Sequence, residues 1–177
     1  CRAKYCNYNN GDFSIMSELR TNKIVPRDGL PSGAIGGGII QVVRAQNTTP
    51  NQTPSSTSTW TDVQPTVTIT PTRSSNLIII EPSVMLIVKN CGYVALKLLR
   101  GSTAIREWWG YCDNDNWLPF QGPGKHIDTP ATTSAVTYKF QIYITSGSAS
   151  NFRWNYQGPD VSNNLRQAEI YAMELSG

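Results

Sequence analysis

Apolar and polar residues alternate with a period of two along most of the chain, which is the pattern of half-buried β-strands. The clearest case spans residues 133–145, where the side chains from Val136 to Ile144 are apolar at every second position. Short strands at a spacing of roughly 8–12 residues are typical of a β-sandwich or jelly roll. The strands that the pattern predicts are 39–44, 60–63, 66–71, 77–88, 92–100, 104–111, 133–145, 152–156 and 168–175.

Two of these stretches carry a further signal. Residues 77–88 are apolar at adjacent positions, so both faces should be buried, either inside a sandwich or at an oligomer interface. Pro82 lacks a backbone donor and therefore indicates a sheet edge or a bend. Residues 168–175 contain good helix formers, but the stretch is short and has no capping residues, so we interpret it as the last strand.

The first 38 residues have a different pattern. Their apolar side chains, among them Leu19, Ile24 and Val25, are too sparse to form a core, and residues 30–38 are rich in Gly. We therefore interpret residues 1–38 as an extended N-terminal arm and residues 39–177 as one all-β domain, a jelly-roll-like β-sandwich. An arm without a core needs a partner surface, which makes Leu19, Ile24 and Val25 candidate assembly contacts.

Composition narrows the possible partners. Only 15% of the residues are charged, the net charge is +3, and no run of Lys or Arg forms a basic patch. Nucleic acid is therefore not an expected partner. No apolar run approaches the ~18–20 residues of a membrane span. A surface of neutral polar residues suits fibres, lectin-like domains and virion proteins.

The cysteines and the single histidine give no metal site. Cys1, Cys6, Cys91 and Cys112 allow two disulfides with three connectivities, but free thiols are favoured for a protein assembled in a reducing cytoplasm. With His126 as the only His, the ligands for zinc are too few. We expect no metal and no cofactor.

Aromatic residues are concentrated between positions 108 and 120. Such side chains bind sugar faces and also anchor protein interfaces. The alternative is that some of them plug the end of the sandwich. Trp108 and Trp109 are adjacent on a predicted strand and must point to opposite faces, so one of them should be exposed. The candidate receptor or partner contacts are Trp108, Trp109, Tyr111, Trp117 and Phe120.

The chain contains no recognisable catalytic constellation. His126 lies near Asp128, but the Gly-x-Ser-x-Gly elbow of serine hydrolases is missing. We therefore predict a non-enzymatic protein. Paired carboxylates of the glycosidase kind have no sequence motif, so a carbohydrate-active enzyme stays open as an alternative.

Several stretches resemble one family, the virion and tail-fibre proteins of bacteriophages, notably of phages that infect marine cyanobacteria. They are residues 16–29, 38–43, 67–80, 98–105, 128–141 and 172–175. In that family a run similar to residues 16–29 opens the chain, so a start at Met16 and one at Cys1 both stay open. The resemblance implies a jelly-roll head like that of trimeric tumour-necrosis-factor-type proteins. It also implies a homotrimer at the virion surface, assembled in the host cytoplasm with other virion proteins.

Two structural roles fit these observations. In the first, the protein is a fibre or spike component whose loops contact a glycan or protein receptor on the host surface. In the second, it is a decoration or cement protein whose arm straps neighbouring capsid subunits. What Leu19, Ile24 and Val25 contact would distinguish the two roles.

Overall fold

The computed structural model describes residues 38–156 and 167–177. The predicted arm contacts Leu19, Ile24 and Val25 lie outside the described residues. The described part contains one 3-10 turn, at Ala149–Asn151, and eleven strands. The strands are β1 (Ile39–Asn47), β2 (Thr61–Ile69), β3 (Leu77–Ser83), β4 (Leu86–Val88), β5 (Gly92–Arg100), β6 (Thr103–Cys112), β7 (Leu118–Pro119), β8 (His126–Asp128), β9 (Val136–Ile144), β10 (Phe152–Trp154) and β11 (Ala168–Leu175).

The strands form two four-stranded antiparallel sheets and one small sheet. The first sheet has the order β1-β11-β3-β8, the second β2-β9-β5-β6, and the small sheet β10-β4-β7. Counted in chain order, the eight strands of the large sheets follow the orders 1-8-3-6 and 2-7-4-5, the double Greek key of a jelly roll. The prediction of an all-β, jelly-roll-like sandwich is confirmed.

The core lies between the two large sheets because their strands present apolar side chains inward at every second residue. Strand β9 is buried at every second position from Val136 to Ile144, and β11 follows the same pattern. The largest fully buried side chains include Trp154, Tyr138 and Phe140. Fully burying an apolar side chain stabilises a fold by about 1.5–3 kcal/mol, so this core carries most of the stability.

Two buried carboxylates join the sheets at one end of the sandwich. Glu174, which is 0% exposed, accepts hydrogen bonds from the Thr72 backbone N–H at 2.7 Å and from the Asn76 side-chain amide at 2.6 Å. Asp128 accepts from Arg100 Nη1 at 3.0 Å and from the Tyr138 hydroxyl at 2.7 Å. Burial of an ionised carboxylate is tolerated only with such donors.

Several predicted boundaries change. Stretches 60–63 and 66–71 belong to one strand, β2, which bulges between Val63 and Val67 around the cis Gln64–Pro65 bond. The two predicted strands stop on either side of residues 64 and 65, which the structure includes in β2. Stretch 77–88 divides into β3 and β4. Pro82 pairs with β11 only, since β8 reaches no further than Ile80, so the predicted edge position is confirmed.

Two strands were not predicted. Strand β7 lies between the predicted strands 104–111 and 133–145, and β8 follows it. Two or three residues are too few to show periodicity, so tertiary pairing alone defines these strands. By contrast, β11 has the bounds predicted for the last strand, and the alternative of a helix there is wrong.

Candidate binding surface

The outer face of the second sheet carries a cluster of aromatic rings, which we call the aromatic platform. Strand register brings them together: Tyr93 pairs with Tyr111, and Ala95 lies between Trp109 on β6 and Tyr143 on β9. All of these side chains point away from the core because they lie in the same phase of their strands. The platform consists of Trp60, Tyr93, Trp109, Tyr111 and Tyr143.

The rings of the platform contact one another. The Trp60 ring centroid lies 5.0 Å from that of Tyr143 and 6.1 Å from that of Trp109, and Trp109 lies 5.9 Å from Tyr143. Tyr93 and Tyr111 are 5.2 Å apart, edge to face. These separations are those of favourable aromatic pairs. Even so, Trp109 is 55% exposed, Tyr93 56% and Tyr111 62%, so three rings remain open to solvent.

Charged side chains hold the rings from the side. The Trp109 indole N–H donates to Glu107 at 2.9 Å, and Lys97 Nζ lies 3.1 Å from the same carboxylate. Lys97 also lies 3.7 Å from the centroid of the Trp60 ring, a cation–π contact. The bond from Trp109, with that from Lys97, lowers the pKa of Glu107. Glu107 is therefore ionised at neutral pH and balances the charge of Lys97.

A second balanced pair lies next to the first on the same face. Asp62 accepts from Lys139 Nζ at 2.6 Å and from Gln141 Nε2 at 2.7 Å. Partial burial works against ionisation of Asp62, but the bonds from Lys139 and Gln141 outweigh it and lower the pKa. Gln141 pairs with Lys97 across the β5–β9 ladder, so both pairs border the platform.

A groove runs along the free edge of β6, beside the platform. Its volume is about 510 Å³, and it is lined by residues 108–111 of β6 and by residues 120–122 and 124 opposite. Phe120 closes its floor by packing onto Gly110, where an added Cβ would lie 2.6 Å from the Phe120 ring. Any side chain at position 110 would therefore displace Phe120 from the groove.

The structure separates the five predicted contact residues into three groups. Trp109 and Tyr111 are exposed on the platform, whereas Trp108 and Phe120 are partly buried against the core and line the groove. Trp117 lies apart from both, with its ring 5.1 Å from Lys89 Nζ and 4.4 Å from the Arg153 guanidinium. The prediction that Trp108 and Trp109 point to opposite faces is confirmed. A receptor contact through these residues stays a prediction.

Sequence reasoning missed three members of the platform: Trp60, Tyr93 and Tyr143. Tyr143 was in the clearest predicted strand, and its phase already placed it opposite the buried residues. What the sequence could not supply was the register that places β9, β5 and β6 side by side. Aromatic residues that alternate with the apolar core positions of the predicted strands are the signal that could have indicated Tyr93 and Tyr143. This signal would not have shown that the rings lie together.

No alternative chemical site emerges from the described residues. His126 and Asp128 lie on the inward side of β8, where Asp128 is bound by Arg100 and Tyr138. Across residues 38–156 and 167–177, no group of three or more His, Cys, Asp and Glu side chains is placed to hold a metal ion. The same ranges contain no helix of the length and apolar character needed to cross a bilayer.

Cys91 and Cys112 are buried neighbours with free thiols, as predicted. Burial, together with the neighbouring Cys112, raises the pKa of the Cys91 thiol to about 12. A thiol of this kind stays protonated at neutral pH and is a poor nucleophile and metal ligand. The pair therefore acts as small apolar filling between β5 and β6. Cys1 and Cys6 lie outside the described part of the chain.

The outer face of the first sheet differs from the platform, and we call its apolar part the aliphatic face. One row across the sheet joins Val42, Met173, Ile79 and Ile127, and a second row joins Ile39, Leu175 and Leu77. Ile39 is 57% exposed, Val42 54% and Ile127 47%. The aliphatic face consists of these seven side chains.

The aliphatic face has a sharp polar boundary. The next row along the same strands contains Arg44, Tyr171 and Glu81. Arg44 and Tyr171 both bond to Glu169, and Glu81 pairs with Lys125. Apolar exposure on this sheet is thus confined to the end where β1 begins and β11 ends.

Comparison with known proteins gives no match for this chain, either among models of protein families or among curated proteins.

Proposed function

We propose that the chain is a non-enzymatic structural protein of a phage particle, a homotrimeric fibre-type component at the virion surface that contacts the host. The resemblance of several stretches between residues 16 and 175 to phage virion proteins supports the virion role. The sandwich fold agrees with it, because a jelly roll is common among capsid and lectin domains. The observation that carries the proposal is the aliphatic face.

An exposed row of Val, Met and Ile side chains on a sheet is costly in water. Burying it against another copy would remove apolar surface at about 25 cal/mol per Å². A second copy is the occupant that we propose, because the face contains no charged side chain and includes Leu77 and Ile79 of β3, a stretch whose adjacent apolar residues predict burial of both faces. Closed cyclic symmetry is the usual way in which identical chains bury such a surface. The number of three copies comes from the resemblance.

The decoration-protein alternative makes a different use of the chain. It depends on what the arm residues Leu19, Ile24 and Val25 contact, and these lie outside the described residues. The aliphatic face favours the fibre-type component, because it provides self-association within the domain itself and without the arm.

The test is the oligomeric state in solution, measured by size-exclusion chromatography with light scattering. We expect the unmodified protein to be a trimer. The double variant Val42→Lys, Ile127→Lys places two charges on the aliphatic face and should give a monomer. The control is Gln46→Lys, which adds one Lys to β1 outside the face and should leave the trimer intact. Both Val42 and Ile127 are exposed, so the fold should tolerate the changes.

Two results would contradict the proposal. One is an unmodified protein that stays monomeric at micromolar concentrations. The other is a double variant that assembles as well as the Gln46→Lys control. Electron microscopy of the particle with this chain placed in the map would test the position in the virion.

A further inference from the structure

We infer that the aromatic platform is a carbohydrate-binding site, and that its ligand is a neutral hexopyranose oligosaccharide. The inference says which class of ligand the host contact would bind. Only the role of the site as a receptor contact rests on the proposed function. The platform includes Trp60, Tyr93 and Tyr143, which no sequence motif indicates.

The exposed rings of the platform match the chemistry of a sugar ring. One face of a pyranose consists of C–H bonds with slight positive charge, which suits the negative face of an aromatic ring. Trp109, Tyr111 and Tyr93 supply three such rings side by side, each more than half exposed. Residues two apart on a strand are separated by roughly 6.8 Å, so Trp109 and Tyr111 can stack successive units of one chain.

The rings of the platform are held in place before any ligand binds. Glu107 fixes the Trp109 indole through its N–H, and the Trp60 and Tyr143 rings contact Trp109 from the β9 side. Tyr111 is held by Tyr93. A preorganised surface loses little side-chain entropy on binding, and this strengthens affinity for a flexible oligosaccharide.

The charged side chains that border the platform are paired with one another. Lys97 is paired with Glu107 and Lys139 with Asp62, so the border of the platform is polar but close to neutral. A polyanion such as nucleic acid or heparin would find no unbalanced cation among these four groups. Sugar hydroxyls, by contrast, both donate and accept, and they match a border that offers carboxylates, ammonium groups and the Gln141 amide.

The side chains of the platform suit a sugar better than they suit a protein partner. The cores of protein interfaces combine aromatic with aliphatic side chains and few charges. On this face the aliphatic residue between the rings, Ala95, is 0% exposed. The side chains that a ligand could reach are therefore aromatic rings and hydrogen-bonding groups. A protein partner is better suited to the aliphatic face of the other sheet.

The experiment is a glycan array that displays gluco-, galacto- and manno-oligosaccharides with sialylated and sulfated glycans, followed by calorimetry on the ligands found. We expect the unmodified protein to bind at least one neutral oligosaccharide. Trp109→Ala and Tyr111→Ala should each weaken that binding roughly tenfold or more, because aromatic anchors dominate such contacts. Trp109→Phe, which keeps a ring without the bond to Glu107, should lie between.

The matched control is Trp117→Ala, which removes the same side chain from the other end of the 108–120 stretch, off the platform. Its affinity should equal that of the unmodified protein. Urea unfolding of each variant confirms that it is folded. Three results would overturn the inference: no neutral glycan bound by folded protein, binding confined to sulfated or sialylated glycans or to protein, or equal losses for Trp117→Ala and Trp109→Ala.

The oligomeric state of the same samples separates this inference from the proposed function. A protein that remains a trimer but binds no neutral sugar overturns the carbohydrate site alone. A monomer that binds sugar through Trp109 overturns the assembly and leaves the site in place.

Discussion

The two large sheets have similar inner faces and very different outer faces. Inside, both contribute apolar side chains to one core, aliphatic ones from the first sheet and both aliphatic and aromatic ones from the second. Outside, the first sheet presents Val, Ile, Leu and Met at one end, whereas the second presents Trp and Tyr bordered by paired charges. Folding requires only the inner faces to be apolar, so the outer residues are free to serve interactions. This difference is the basis for proposing two kinds of partner, an apolar protein surface and a hydroxyl-rich ligand.

The difference also has a geometric side. The aliphatic face is formed by Val, Ile, Leu and Met side chains, which carry no N–H or O–H groups. On the platform, the Trp109 N–H, Glu107 and Lys97 are already joined, so a ligand meets a polar surface with a fixed arrangement. This difference between the outer faces would not indicate separate interactions if the rings of the platform were needed for folding.

The largest expected effect tests that point. Phe140, fully buried beneath the second sheet, should cost about 3–5 kcal/mol when changed to Ala, because the change leaves a cavity. Trp109→Ala, on the opposite side of the same sheet, should cost under about 1 kcal/mol. Urea unfolding monitored by circular dichroism measures both. Similar losses for the two variants would mean that the platform is part of the core.

The next effect compares two carboxylates. Hydrogen bonds from Asn76, Gln41 and Thr72 outweigh burial and lower the pKa of Glu174. A lowered folded-state pKa stabilises the protein above the unfolded value, near 4.5, and this contribution is lost as the pH falls through the folded value. Glu174→Gln should cost about 1–3 kcal/mol at pH 7, since charged hydrogen bonds are replaced by weaker ones. It should also flatten the loss of stability below pH 4.5.

Glu107→Gln on the platform is the control for Glu174. It has the same chemistry but lies at the surface, where water screens the charge, so both the stability at pH 7 and its acid dependence should change little. Unfolding free energies measured between pH 3 and pH 7 distinguish the two variants. An acid dependence that is unchanged in Glu174→Gln would contradict the assignment.

A further effect concerns protein concentration. If the aliphatic face joins copies, the midpoint of thermal unfolding should rise with concentration, because assembly stabilises the folded chain by mass action. Val42→Lys should reduce this dependence, whereas Tyr111→Lys on the platform should preserve it. Scanning calorimetry over a hundredfold concentration range measures the shift. Equal behaviour of the two variants would mean that the outer faces do not differ in self-association.

The smallest effect concerns Lys97. Its change to Gln removes an ion pair with Glu107 and a cation–π contact with Trp60, both near the surface. We expect a loss of stability of about 0.5–1 kcal/mol that shrinks in high salt, since exposed pairs are screened. Unfolding in low and in 1 M salt provides the measurement. A larger loss that salt does not change would place Lys97 among the buried determinants of the fold.

The sequence predicts the sandwich well and the site only in part. Periodicity in β5, β9 and β11 gives their positions closely, because burial on one face leaves a clear record. It fails at β8, which is too short, and at residues 64–65, where two predicted strands are one bulged strand. The aromatic stretch 108–120 directs attention to Trp109 and Tyr111 but also to Trp117, which lies elsewhere. Tyr93 and Tyr143 join the site through strand register, a long-range property that local patterns do not encode.

One feature of the fold gives the domain a direction. The Ser176 backbone N–H donates to the Gly38 carbonyl at 3.5 Å, so strand β1 begins at the corner where β11 ends. Gln41 links that corner to the end of β2 through Thr70. Tyr93 and Tyr111 lie toward the opposite ends of their strands, and Trp60 immediately precedes β2. Gly38 therefore lies at one pole of the domain, and the rings are held toward the other. A row of such domains anchored by the first pole would hold every platform outward at the same height.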